Sequence, residues 1–206
     1  ATVICLIIAF PVGYFLSRLR VNKQHIMLML VMLPMWMNFL LRTYAWMGLL
    51  SVNGPVNAIL GFFGLGPYNM LNTSGAVVLG MVYNFLPFMI YPIYNTLQKM
   101  DHSLIEAAQD LGANPSQVFI KAVFPLSMPG VMSGIMMVFM PTISTFAIAE
   151  LLTMNNIKLF GTTIQENINN SMWNYGAALS LIMLLLIAAT SLFSTDDKDN
   201  TNEGGG

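Results

Sequence analysis

Two histidines, one cysteine and nine carboxylates supply the general acids and bases, thiol and metal ligands of this 206-residue chain. Their placement speaks for binding rather than catalysis. Cys5 stands alone in an apolar run, which excludes an intrachain disulfide and a cysteine metal cluster. His25 and His102 lie in separate polar segments, and neither is read as a metal ligand. Met27, Met29, Met32, Met35 and Met37 fall close together but on successive faces of one helix. Such methionines read as flexible apolar filling rather than soft-metal ligands. No HExxH, GxSxG or GxxxxGK[ST] is present, so the chain is expected to be no enzyme, to hydrolyse no ATP and to bind no metal or cofactor of its own.

What remains is recognition by a few polar and aromatic side chains in apolar surroundings. Glu150 is an acid near the outer end of an apolar run, either a cation contact or gate or a carboxylate reaching water. Tyr83 and Asn84, with Pro87 behind them, read as pathway contacts or as helix packing. Trp36 and Asn38 read as pathway contacts or interfacial anchors. Arg42 suits a salt bridge or a helix-end role, and Glu166 is either a docking contact or an exposed solvated acid.

These side chains need a frame, and composition defines it. The chain is 56% hydrophobic and 8% charged, against about 25% charged in soluble domains. Its apolar residues come in blocks near the ~20 residues that cross a bilayer. The fold class is therefore all-α, a polytopic helical membrane protein. Five spans are expected, at about residues 1–15, 26–41, 75–97, 130–152 and 175–193. Turn signals at Asn53-Gly54-Pro55 and Gly64-Leu65-Gly66-Pro67 enclose a short helix at 56–63, and another is expected at 162–168. Trp36, Tyr44 and Trp46 suit the outer headgroup belt. Residues 194–206, rich in Asp, Asn, Thr and Gly, read as a disordered tail.

Charge orients the spans. Arg18, Arg20, Lys23, Lys99, Lys121 and Lys198 fall on one side, and Arg42 and Lys158 on the other. The positive-inside rule places the first six in the cytoplasm, with the carboxyl terminus there and Ala1 outside.

One polar segment between apolar runs, about residues 98–129, carries the most local information. It contains EAAQDLGANPSQVFIKAVFPLSMPG from Glu106. Ser103 is placed to cap a helix, with Glu106 completing a capping box. Leu104, Ala107, Ala108 and Leu111 make an apolar stripe at helical spacing. Gly112 ends that helix, Asn114-Pro115 turns the chain, and Pro115 starts a second helix with Val118, Phe119, Ala122 and Val123 on one face. Pro125 and Pro129 are expected to break it before the fourth span. On these residues alone the element is either a lever docked on a partner or an amphipathic helix lying on the bilayer.

Glu106-Ala107-Ala108, three residues, Gly112, and Pro125 thirteen residues later resemble the EAA loop of inner-membrane permease subunits of type I ATP-binding-cassette importers. Phe124 stands where a Leu is common. The resemblance extends through LPMWMNFLLRTYAWMGLLSVNGPVN from Leu33 and GMVYNFLPFMIYPIYNTLQKMD from Gly80, which are similar to the spermidine/putrescine permeases of that family. It implies the MetI-like permease fold over residues 1–193 and import of a polyamine into the cytoplasm across the bacterial inner membrane. It also implies coupling to ATPase subunits through Glu106, Ala107, Ala108, Leu111, Gly112, Phe119 and Pro125. The implied partners are a second permease subunit, a cytoplasmic ATPase dimer, a polyamine-binding protein outside and the lipid bilayer, with no nucleic acid. The family has six spanning helices, so five imply that the first lies beyond Ala1. Another small solute, or less readily a stand-alone secondary carrier, remains the alternative; a carrier would leave the EAA loop unexplained.

Overall fold

The computed structural model of the protein describes residues 1–64, 68–110, 112–154 and 156–202. Among these the regular elements are helices. Three helical stretches are long and apolar enough to cross a membrane: Ser74–Gln98, Pro115–Ser144 and Trp173–Ser191. Val21–Trp36 and Phe39–Phe62 pass the same test only as a pair, and the apolar helix Thr2–Arg18 is shorter. The chain divides into two compact units.

One unit comprises residues 2–33, 85–138 and 194–206. It begins with α1 (Thr2–Arg18) and α2 (Val21–Met32). The turn between them is closed by Gln24, a buried amide whose Nε2 donates to the carbonyls of Ser17 at 3.0 Å and Leu19 at 2.7 Å. The second half of α5 (Ser74–Gln98) runs through this unit, and so does most of α8 (Phe124–Ser144). These two helices approach closely at small residues. A Cβ on Gly130 would lie 2.5 Å from the Thr96 hydroxyl and 2.8 Å from the Pro92 carbonyl, and one on Gly134 would lie 2.7 Å from the Met89 sulfur. Small residues four apart let membrane helices pack backbone to backbone. Met89, Ile90, Ile93, Val123 and Val138 fill the interior around them.

The other unit comprises residue 1 with residues 34–84 and 139–193. It holds α3 (Phe39–Leu50), α4 (Pro55–Phe62), the first half of α5, α9 (Ala147–Thr153), α10 (Phe160–Asn169) and α11 (Trp173–Asn202) up to residue 193. Asn57 is a buried organiser here. Its amide donates to the Ser51 and Tyr68 carbonyls and accepts from the Tyr68 N–H, tying α4 to the chain on both sides. Gly80 faces Leu152 and Ile148, so α5 and α9 pack with no room for a side chain at that point.

The third and fifth spans and the two short helices expected near 56–63 and 162–168 form where hydropathy and turn residues place them. Four other expectations differ. The span at 26–41 is not one helix: α2 ends at Met32, Leu33–Trp36 form a 3₁₀ turn, and α3 starts afresh at Phe39. Pro34 has no N–H to continue the ladder, and Asn38 caps the new helix by accepting from Leu40 N and Leu41 N. The span at 130–152 begins earlier and ends at Ser144, with Glu150 on the separate helix α9. Pro125 and Pro129 do not break the helix, because a π segment at Phe119–Val123 comes first. Phe124 N–H bonds to Phe119 O, five residues back, so the ladder is already widened where Pro125 offers no donor. Finally, α11 continues to Asn202 across the 194 boundary, as a helix already nucleated adds residues at little cost.

Candidate coupling loop and pathway residues

The segment from 98 to 129 folds as a helix, a turn and a second helix. α6 (His102–Asp110) is capped by Asp101, whose Oδ1 accepts from Ser103 N at 2.9 Å. Ser103 is therefore not the cap; the helix starts one residue earlier, where a carboxylate also complements the positive helix end. At the other end Gly112 N–H bonds to Gln109 O and Ala113 N–H to Ala108 O. That pair of bonds is the Schellman arrangement, which needs a left-handed residue. Gly112 supplies it, with φ of 80°. α7 (Pro115–Val118) opens with Pro115 at its first turn and a reciprocal capping box between Asn114 and Gln117.

The loop is fastened by one face and bare on another. Ile105 of α6 is buried, while Leu104 and Ala107 on the expected stripe are exposed, Ala108 is half-buried and Glu106 is exposed. Leu111 lies outside the described residues. Val118 and Val123 are buried. Phe119 turns inward: its ring meets Phe10 at 5.7 Å and Tyr14 at 5.7 Å, both edge-on. It anchors the loop to α1 rather than joining the bare face. Pro125 is exposed at the start of α8.

The pathway candidates separate into distinct surroundings. Asn38 is taken up as the α3 cap. Trp36, in the 3₁₀ turn, is 86% exposed. Asn84 is buried, and its amide donates to Gly80 O at 2.7 Å along its own helix. Glu150 is exposed and lines a small polar recess with Thr162, Gln165, Glu166 and Asn169. Glu166 is paired with Lys158 at 2.7 Å rather than simply solvated. Arg42, read as a salt-bridge or helix-end residue, lies in the first turn of α3 and has no carboxylate partner among the described residues. Its Nη1 donates to Pro34 O at 2.8 Å, and its guanidinium carbon lies 5.7 Å from the centre of the Tyr83 ring. Trp46 meets that ring edge-on at 5.2 Å.

Two features escaped the sequence reading. Trp46 stands four residues after Arg42, one helical turn on, and that spacing carried the signal. Gln24 accepts from Tyr94 OH and Gln98 Nε2 on α5; a pairing over so long a separation leaves no local trace.

Residues 3–195 match the family described as binding-protein-dependent transport system inner membrane component. The chain belongs to that family. This permease is 39% identical over 191 residues to the spermidine/putrescine transport system permease protein PotB of Haemophilus influenzae, covering 91% of this chain and 67% of the relative. It is 35% identical over 190 residues to PotB of Escherichia coli K12, covering 91% and 69%. Its fold is also that of a crystal structure of a bacterial ABC transporter involved in import of the acidic polysaccharide alginate. That match has a TM-score of 0.78 and 16% identity over 97% of this chain and 75% of the other. This permease is thus a multi-pass component of a bacterial inner membrane and a permease subunit of a binding-protein-dependent transport system, not an enzyme. Membership implies an ATPase and a substrate-binding protein as partners.

Proposed function

We propose that this permease moves polyamines, spermidine or putrescine, into the cytoplasm, with its carboxyl terminus on that side. The observation that carries the reading is the 35–39% identity to two PotB proteins across 91% of the chain. The partners are then a PotC-like second permease, a PotA-like ATPase dimer and a PotD-like binding protein. ATP binding draws the ATPases together, and the loop from 98 to 129 carries that motion into the spanning helices. The bare stripe of Leu104 and Ala107 beside Glu106 is the docking face, and the Schellman turn at Gly112 fixes the angle at which the chain leaves it. Phe119, seated on Phe10 and Tyr14, passes the motion to α1. Pro125 starts the helix that receives it.

A polyamine presents several ammonium groups on an aliphatic stem. Aromatic faces and an occasional carboxylate bind such a cargo without holding it. Tyr83, Trp36 and Glu150 offer those groups; Asn84 and Asn38 act through helix packing and capping.

The test is ATP hydrolysis by the reconstituted full-length complex, with binding protein loaded or empty. Stimulation by the spermidine-loaded protein supports the reading. Stimulation by a different loaded solute alone keeps the importer and overturns the polyamine assignment.

A further inference from the structure

We propose that Arg42 is a specificity-determining residue of the pathway. Its guanidinium occupies the face of the Tyr83 ring, so a cationic cargo finds that face already filled and is held weakly. The inference rests on the polyamine reading.

The geometry is unusual for a structural arginine. Arg42 is 7% exposed on α3. One hydrogen bond, to Pro34 O, and one ring contact, to Tyr83, hold its guanidinium. Its Nε, like Asn84 Oδ1 beside Tyr83 on α5, is buried without a hydrogen-bond partner among the described residues. A buried charge without a counter-ion works against folding, and an apolar side chain of similar size commonly packs as well or better. Ionisable groups in membrane segments mark transport paths by default. What the charge does here follows from its neighbour. A tyrosine face attracts ammonium and guanidinium groups alike. Trp46 packs against the Tyr83 ring in a T-shaped contact, and Arg42 lies over the ring face. An arriving ammonium must displace a like charge or sit beside it, and both weaken binding. For an importer that is useful, because a cargo bound tightly midway is not released.

The experiment uses the complete importer, with both permeases, the ATPases and the binding protein. Radiolabelled spermidine is titrated onto the vanadate-trapped complex, and uptake turnover is measured in proteoliposomes. Arg42→Met should lower the dissociation constant of trapped spermidine by roughly three- to tenfold and slow turnover. Arg42→Lys, which keeps the charge, should stay near the wild-type dissociation constant. Arg42→Gln keeps a donor for Pro34 O and carries the same expectation as Arg42→Met, so loss of assembly in one variant still leaves the other to decide. Adding Tyr83→Leu to Arg42→Met or Arg42→Gln should abolish the gain. Unchanged or weakened binding in the neutral variants overturns the inference while wild-type transport of spermidine stands. A wild-type complex that binds and moves no spermidine overturns the polyamine reading and this inference with it.

Discussion

The Tyr94 hydroxyl donates to the Gln24 side-chain oxygen at 3.2 Å across 70 residues of sequence. Gln24 thus fastens the α1–α2 turn to the end of α5 from which the loop at 98–129 departs. Its buried amide makes every bond it can reach on both sides. Gln24→Leu fits the space but leaves the Ser17 and Leu19 carbonyls and the Tyr94 hydroxyl with a lost partner. A buried polar group left unmade costs about 1–3 kcal/mol. The purified permease should therefore unfold at lower temperature, and an unchanged thermal midpoint would show that water replaces the clamp.

Gly112 has a different task, set by its φ of 80°. Among the described residues no neighbour lies within 4 Å of where a Cβ would sit, so substitution is limited by backbone strain and not by space. Gly112→Val places a β-branched residue in the left-handed region, at a cost of about 1–2 kcal/mol. The permease should still insert but co-purify with less ATPase. Gly112→Asn should keep more of it, since Asn tolerates that region. Full ATPase recovery with the valine variant would count against the coupling role of the turn.

Close helix packing gives a paired test. Gly130→Ala forces a methyl group to within 2.5 Å of Thr96 Oγ1 and 2.8 Å of the Pro92 carbonyl, so α5 and α8 must separate. Overpacking of this kind costs about 1–3 kcal/mol. Gly61→Ala on α4 meets nothing within 4 Å. It should leave stability unchanged or raise it by about 0.5–1 kcal/mol through helix propensity. Thermal unfolding of both variants in detergent separates the two expectations; equal midpoints would contradict the packing described.

Asn38 decides between a cap and a cargo contact. As the cap of α3 it should be replaceable by Asp or Ser with uptake retained, whereas Asn38→Ala should lose about 1 kcal/mol of stability. Cargo uptake lost in Asn38→Ser with unchanged stability would restore it to the pathway.

Legibility in the sequence followed the range of the forces involved. Gly112, Asn114 and Pro115 act within a few residues, so the helix–turn–helix of the loop was readable. α5 and α11 were readable because their apolar length is their own property. The second span was not, because hydropathy averages over the stretch that Pro34 and Asn38 interrupt. Pro125 misled for a related reason: a proline breaks a regular ladder, but the wide turn before it had already altered the ladder. The placement of Arg42 on Tyr83, and of Phe119 on Phe10 and Tyr14, depends on helices far apart in sequence. Local sequence therefore marks Arg42 only as a salt-bridge or helix-end residue, and Phe119 only as a docking residue.

The wide turn at Phe119–Val123 makes chain length on its two sides unequal in kind. One residue removed inside it restores ordinary winding and keeps the helix beyond near its angular register, because the wide turn spends about one extra residue on the same rotation; one removed after Phe124 rotates everything beyond it by about 100°. Gly130 and Gly134 would then swing off Thr96 and Met89. A residue added near Ala113, by contrast, is absorbed by a surface turn. The segment is a phase setter: it takes up a single residue of chain length without turning the membrane helix beyond it, so tolerance to a one-residue deletion should end abruptly after Val123.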